Sequence, residues 1–154
     1  MKLNGLSDPE VVNALFRASQ DGVRIELVVR GVCALRPGIP GMSDNIRVVS
    51  VLGRFLEHAR MLCFANAGAP EYFIGSADLR PRNLRRRVEL LAPVKDRACR
   101  AQLDTLLDAY LADPTAWELT SAGEYLRRHA AGASTQEQLM QDPAAAPAGA
   151  TARS

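Results

Sequence analysis

A helix and a strand, then several strands in succession, then a late helix: this order of elements predicts an α/β sandwich, a mixed β-sheet flanked by helices. Three observations carry the prediction. Val11, Val12, Leu15, Phe16 and Ala18 recur at helical spacing. Residues 23–29 begin by alternating and become wholly apolar, the pattern of a strand entering a covered sheet. Leu103, Leu106, Leu107, Tyr110 and Leu111 form the apolar face of a second helix over residues 96–111. With 154 residues, 47% of them hydrophobic, the chain supports one domain with a core and hardly two.

The elements follow in order. Residues 1–5 read as the end of an element begun earlier, and so as a sign of a further N-terminal part. Ser7 or Asp8 caps the first helix, with Pro9 in its first turn, and Asp21-Gly22 ends it. After the strand at 23–29, Arg30-Gly31 opens a loop over 32–45 that contains Pro37-Gly38 and Pro40-Gly41. Residues 46–52 form the next strand, and Gly53 lets the chain turn. Residues 61–64 and 71–74 read as strands joined by a hairpin turn at 66–70. Residues 88–94 form another strand, stopped by proline, and Asp113-Pro114 terminates the helix at 96–111. Trp117-Glu118-Leu119 and Tyr125-Leu126-Arg127 make a small closing hairpin around Ala122-Gly123. Further on, Ala, Gly, Ser, Pro and Gln dominate and aromatic residues vanish, so the expected division is a domain over 1–128 and a disordered tail over 129–154.

Charge and cysteine content narrow the function classes. A net charge of +2 provides no global field that argues for nucleic acid as a partner. Positive charge is instead concentrated at Arg80, Arg82, Arg85, Arg86 and Arg87. Cys33, Cys63 and Cys99 are odd in number and far apart, which fits reduced thiols rather than a disulfide frame or a zinc site. No segment is long and apolar enough to span a bilayer, and no signal segment opens the chain, so a cytoplasmic protein is expected.

The chemistry gathers between Gly53 and Glu89. His58 is one of two histidines; the other, His129, sits beside the tail and reads as solvated. An imidazole serves phosphoryl transfer as nucleophile, as general acid, or as a contact to a phosphate oxygen. In an extended segment His58 and Arg60 point to the same face, so one phosphate meets both. Gly75-Ser76-Ala77-Asp78 adds small residues for close backbone approach, a hydroxyl for phosphate or imidazole, and a carboxylate to orient the histidine. Arg30 ends a central strand before a glycine, where open α/β sheets put ligand contacts. Each has a plainer reading: a structural histidine, an Arg30 paired with a nearby carboxylate, and a solvated cationic turn.

His58-x-Arg60 followed by Gly75-Ser76-x-Asp78 resembles the half-motif of the phospholipase D superfamily, with arginine for its lysine and aspartate for its asparagine. The wider text includes Asn4-Gly5-Leu6-Ser7-Asp8-Pro9-Glu10, Arg30-Gly31-Val32-Cys33, Ser43-Asp44-Asn45-Ile46-Arg47, Gly53-Arg54-Phe55-Leu56-Glu57-His58, Arg82-Asn83 and Arg87-Val88-Glu89. With these motifs in order over residues 1–128, the chain is similar to the C-terminal domain of bacterial polyphosphate kinase.

The resemblance implies a phospholipase-D-like sandwich and an enzyme that reversibly moves the terminal phosphate of ATP to inorganic polyphosphate through a phosphohistidine. It implies that the phosphorylated histidine lies on a preceding domain, so further kinase domains upstream are the expected partners. His58 matches the family's second histidine, which contacts the nucleotide phosphates and assists transfer, and Arg30 matches its nucleotide-contacting arginine. Arg60, Ser76, Asp78, Arg82 and Arg87 complete the expected ATP- and phosphate-binding set, with Arg82 and Arg87 favoured over Arg80, Arg85 and Arg86 for holding polyphosphate. Magnesium (Mg2+) is the implied cofactor, with ligands outside this chain. Homo-oligomerisation stays open. The alternative is a non-catalytic polyanion- or nucleotide-binding module that keeps the fold and the basic groove but lacks the nucleophile.

Overall fold

Alternation along the central strands explains why helices cover both faces of the sheet. The computed structural model describes residues 1–141. Eight strands form one mixed sheet in the order β6-β5-β4-β1-β2-β3-β7-β8. They are β1 (Lys2–Leu3), β2 (Ile25–Val29), β3 (Ile46–Ser50), β4 (Arg60–Phe64), β5 (Glu71–Gly75), β6 (Leu91–Pro93), β7 (Trp117–Leu119) and β8 (Tyr125–Arg127). β1, β2 and β3 run parallel at the centre, and the outer strands pair antiparallel.

Helix α1 (Pro9–Gln20) is capped by Asp8, whose carboxylate accepts from the Glu10 and Val11 amides at 3.1 and 3.2 Å. Its Val11, Val12, Leu15 and Phe16 pack with Leu3, Ile25, Leu27, Val29, Ile46 and Val48 on one face. Helix α3 (Arg97–Ala112), capped by Asp96, packs Leu103, Leu106, Leu107 and Tyr110 with Val28, Val49, Val51 and Met61 on the other. The even and odd residues of β2 and β3 therefore serve opposite helices, which accounts for the consecutive apolar residues Leu27-Val28-Val29 and Val48-Val49. Each fully buried valine or leucine contributes about 1.5–3 kcal/mol.

The predicted sandwich of mixed sheet and flanking helices is thus present, with local corrections. Residues 2–3 form the central strand β1, bonded on one side to β2 and on the other to β4. Strand β2 starts at Ile25, leaving Val23 exposed, and the strand expected over 88–94 shrinks to Leu91–Pro93. The arginine run is helix α2 (Pro81–Arg86), which Pro81 opens and from which Arg85 pairs with Asp8 at 2.9 Å and Glu10 at 3.2 Å. Cys99, expected in apolar surroundings, is exposed.

The largest correction concerns the expected tail. Helix α4 (Thr135–Gln141) docks on the domain, with Thr135 and Gln136 buried; residues 142–154 of the expected tail lie outside the described residues. Composition hid this helix because its anchors are polar. The buried Asp113 carboxylate, just past α3, accepts from the Thr115 amide and hydroxyl, each at 2.7 Å, and from the Thr135 amide at 2.7 Å.

Burial alone would raise the Asp113 pKa, but hydrogen bonds from Thr135 and Thr115 outweigh it and hold the carboxyl below the ordinary aspartate range. The unfolded chain then binds the proton first, so this contribution is present above the ordinary aspartate pKa and is lost as pH falls through the depressed folded value. Asp113→Asn is expected to cost about 1–3 kcal/mol at neutral pH and to flatten the acid limb of stability against pH, measured by urea unfolding. Hydrogen exchange at residues 135–141 should rise in the same variant.

Candidate functional site

One end of the sheet collects the candidate residues. The parallel strands β2 and β3 finish there at Val29 and Ser50, before Arg30 and the turn that leads to His58. Antiparallel β4 starts at the same end with Arg60, which is opposite Gly75 at the finish of β5. A carbon at the Cβ position of Gly75 would collide with the Leu90 carbonyl oxygen, so glycine there permits the approach of the chain entering β6.

Arg60 is the hub. Its Nη2 lies 3.1 Å from Asp78 Oδ2, and its Nε donates to Asp78 Oδ1 at 3.4 Å. Asp78 is buried and also accepts from the Asn4 and Gly5 amides at 2.7 and 3.1 Å, so the loop after β1 and the loop after β5 share one carboxylate. Asn4 joins them: with its carboxamide oxygen toward Arg60 it accepts from Nε at 2.9 Å and Nη2 at 3.2 Å, and its amide donates to the Glu57 carbonyl.

The third nitrogen of Arg60 holds the histidine. Nη1 donates to the His58 carbonyl oxygen at 2.9 Å and lies 2.8 Å from His58 Nδ1. The same Nη1 lies 3.5 Å from His58 Nε2, so the guanidinium stands against the imidazole beside both ring nitrogens. His58 is exposed.

Two expected contacts differ. Asp78 does not orient His58 directly; it orients Arg60, and Arg60 contacts the imidazole. The Ser76 hydroxyl is engaged by the Glu89 carboxylate and accepts from the Leu90 amide at 3.1 Å, away from His58. Ser76 and the Asn83 amide hold the Glu89 carboxyl below its ordinary range. Arg87 pairs with Glu89 at 3.3 Å, whereas Arg82 is exposed and has no carboxylate within ion-pair distance among the described residues.

Arg30 stands apart from the hub, beside a cavity of about 260 Å³ lined by Gly31, Ser50, Leu52, Trp117 and Tyr125. Its Nη1 is buried without a hydrogen-bond partner. Beneath the site lies a lysine that sequence reasoning missed. Lys2 is 1% exposed, pairs with Glu57 at 3.1 Å and lies 4.8 Å from the Tyr110 ring centroid. Burial pushes its pKa down, the Glu57 carboxylate pulls it back, and Arg30 and Arg60 both add downward pressure. An isolated charge in an otherwise apolar strand is the signal that could have found it. Among the described residues, no three His, Cys, Asp or Glu side chains converge to hold a metal ion.

Two outcomes are expected of this geometry. Asp78→Ala leaves the largely buried Arg60 guanidinium and two backbone amides without their carboxylate, and should cost about 3–5 kcal/mol in chemical unfolding. In imidazole nitrogen NMR, Arg60→Met should shift the His58 ring signals, and unchanged signals would overturn the contact.

Comparison with known proteins identifies the family. The profile of the family described as "Polyphosphate kinase C-terminal domain 2" matches residues 1–141. A polyphosphate kinase of Thermosynechococcus vestitus is 53% identical over 131 residues, covering 84% of this chain and 18% of that protein. One from Streptomyces coelicolor is 54% identical over 137 residues, covering 88% and 18%. The crystal structure of polyphosphate kinase from Porphyromonas gingivalis superimposes with a TM-score of 0.84 at 39% identity, over 90% of this chain and 22% of that one. The chain therefore spans about a fifth of the length of the relatives it matches. On a match that runs from residue 1 through helix α4, the chain belongs to the polyphosphate kinase C-terminal domain 2 family.

Proposed function

We propose that this chain supplies one wall of a phosphotransferase site that reversibly moves the terminal phosphate of ATP to inorganic polyphosphate. The observation that carries the reading is the His58–Arg60 contact: an exposed imidazole stands beside a guanidinium anchored by Asp78, so one phosphate can meet both. In this reading the imidazole acts as a donor that binds and polarises a phosphate oxygen rather than as the group that attacks phosphorus. The nucleophile is a second histidine outside these 154 residues. Its ring nitrogen forms a bond to the terminal phosphorus as the oxygen–phosphorus bond to ADP breaks, and the terminal oxygen of the polymer later displaces that nitrogen.

In this reading His58 donates to the nucleotide phosphates, and Arg60 contributes charge from its place beside the imidazole. Asp78 holds Arg60, while Ser76 and its partner Glu89 shape the loop where Arg87 stands. Arg30 and Arg82, without a carboxylate partner among the described residues, bind phosphate directly by charge-assisted hydrogen bonds. Exposed Leu52, Phe55, Leu56, Val88 and Leu90 border this end of the sheet, a surface suited to an opposing domain of a longer kinase. Magnesium, implied by the family, would neutralise nucleotide phosphate charge, and no residue of this chain is assigned to it. The second reading, a polyanion-binding module without turnover, is favoured by the exposed arginines Arg80, Arg82 and Arg86, which suit a polyanion whether or not transfer occurs.

Incubation with ATP labelled at the terminal phosphate separates the two. Retained polyphosphate binding without protein label or polymer is the expected result for the 154-residue chain alone; acid-labile, base-stable label on His58 would overturn its assignment as the nucleophile's partner. In a complete kinase carrying this sequence, His58→Ala should lower turnover by about 10²–10⁴-fold while polyphosphate binding persists. Unchanged turnover would sink the role.

A further inference from the structure

The loop that carries His58 has an anchor in α4. Among the described residues, no backbone-to-backbone hydrogen bond outside the helices and strands involves residues 53–59, so side chains must hold this segment. Gln136, buried in the first turn of α4, grips it most completely. Its Oε1 accepts from the Phe55 amide at 2.9 Å and its Nε2 donates to the Phe55 carbonyl at 2.9 Å, much as a neighbouring strand would bond that residue. Nε2 also donates to Glu57 Oε1 at 2.9 Å. The other oxygen of Glu57 is fixed by Lys2 at 3.1 Å and by the Tyr110 hydroxyl at 2.8 Å.

Gln136 is itself aimed. The preceding Thr135 is tied through its amide to Asp113 and through its hydroxyl, at 2.9 Å, to the Ala109 carbonyl. Gly53 leaves the room the amide needs: a carbon at its Cβ position would stand 2.5 Å from Gln136 Oε1 and 2.9 Å from its Cδ. Two backbone groups and a carboxylate are thus fixed by one residue within the three positions preceding His58.

We infer that Gln136 is a positioning residue for His58, setting from α4 the path of residues 55–57 and hence the place of the imidazole beside Arg60. The catalytic half of this role rests on His58 being the working imidazole; the loop-fixing half stands apart from it and is measured separately.

Gln136→Met keeps length and helix propensity while removing the three hydrogen bonds, and Gln136→Glu keeps the acceptor for Phe55 but sets a second carboxylate against Glu57. In the 154-residue chain both should speed hydrogen exchange of the Phe55 amide by about tenfold or more and shift the His58 ring nitrogen signals. Gly53→Ala, which leaves α4 unaltered in sequence, should give the same signature should the α4 variants fold poorly. In a complete kinase, Gln136→Met should lower kcat by about 10–100-fold, with the KM for ATP within about twofold. Wild-type Phe55 protection and His58 signals in folded Gln136→Met would overturn the inference, as would unchanged kcat where His58→Ala abolishes turnover. If His58→Ala itself leaves turnover intact, the assigned role of His58 and the catalytic half of this inference fall together, whereas the Phe55 exchange still reports whether Gln136 fixes the loop.

Discussion

A buried ion pair between Lys2 and Glu57 is the constraint on which the working end of this fold depends. Withdrawing two charges from water is costly, and the pair persists because every partner it needs is present. Burial resists ionisation of Glu57, but the Tyr110 hydroxyl, the Gln136 amide and Lys2 together hold its carboxyl below the ordinary range. Lys2 in turn reaches the Ala59 carbonyl and faces the Tyr110 ring. Four otherwise separate elements, β1, α3, α4 and the loop before β4, therefore meet at one point. Removing either charge would leave the other buried and alone, so the loop that bears His58 is held from below.

A second ionic layer lies above the first. Asp78 joins the loops after β1 and β5 and grips Arg60, and Arg60 in turn grips both the backbone and the ring of His58. The layers share Asn4, which bridges the Glu57 carbonyl and the Arg60 guanidinium. The order of contacts matters chemically: Asp78 reaches the imidazole only through Arg60, so the group beside the ring is a cation rather than a carboxylate.

The periodic parts of the fold were legible because period 2 and period 3.6 record which faces are buried. Helix α1 with its Asp8 cap, strands β2 and β3, helix α3 and the closing hairpin all follow from that record. The grouping of His58, Arg60 and Asp78 was legible as well, from local spacing on strands that end together. What stayed hidden is polar pairing across long separations. Lys2 meets Glu57, and Gln136 meets Phe55, through contacts that no local pattern encodes. Helix α4 was missed for the same reason: Thr135 and Gln136 are buried by hydrogen bonding rather than by apolar area, in a segment whose composition resembles a solvated tail. The Ser76 hydroxyl was misread because its partner Glu89 lies beyond the arginine helix, and no spacing rule connects them.

The charge layout explains why a cluster rich in arginine still has capacity for an anionic ligand. Several of its cations are already committed: Lys2 to Glu57, Arg60 to Asp78, Arg85 to Asp8 and Glu10, and Arg87 to Glu89. These pairs build the scaffold and contribute little field at a distance, since each cation lies beside its counter-charge. Arg30, with a buried and unpartnered Nη1, and exposed Arg80, Arg82 and Arg86 have no carboxylate within ion-pair distance among the described residues. On the proposed reading, a phosphate approaching this sheet end finds a rigid, internally neutralised frame with spare guanidinium groups and one exposed imidazole. Such a frame can bind a polyanion without first breaking its own ion pairs, so binding need not dismantle the network that keeps His58 in place.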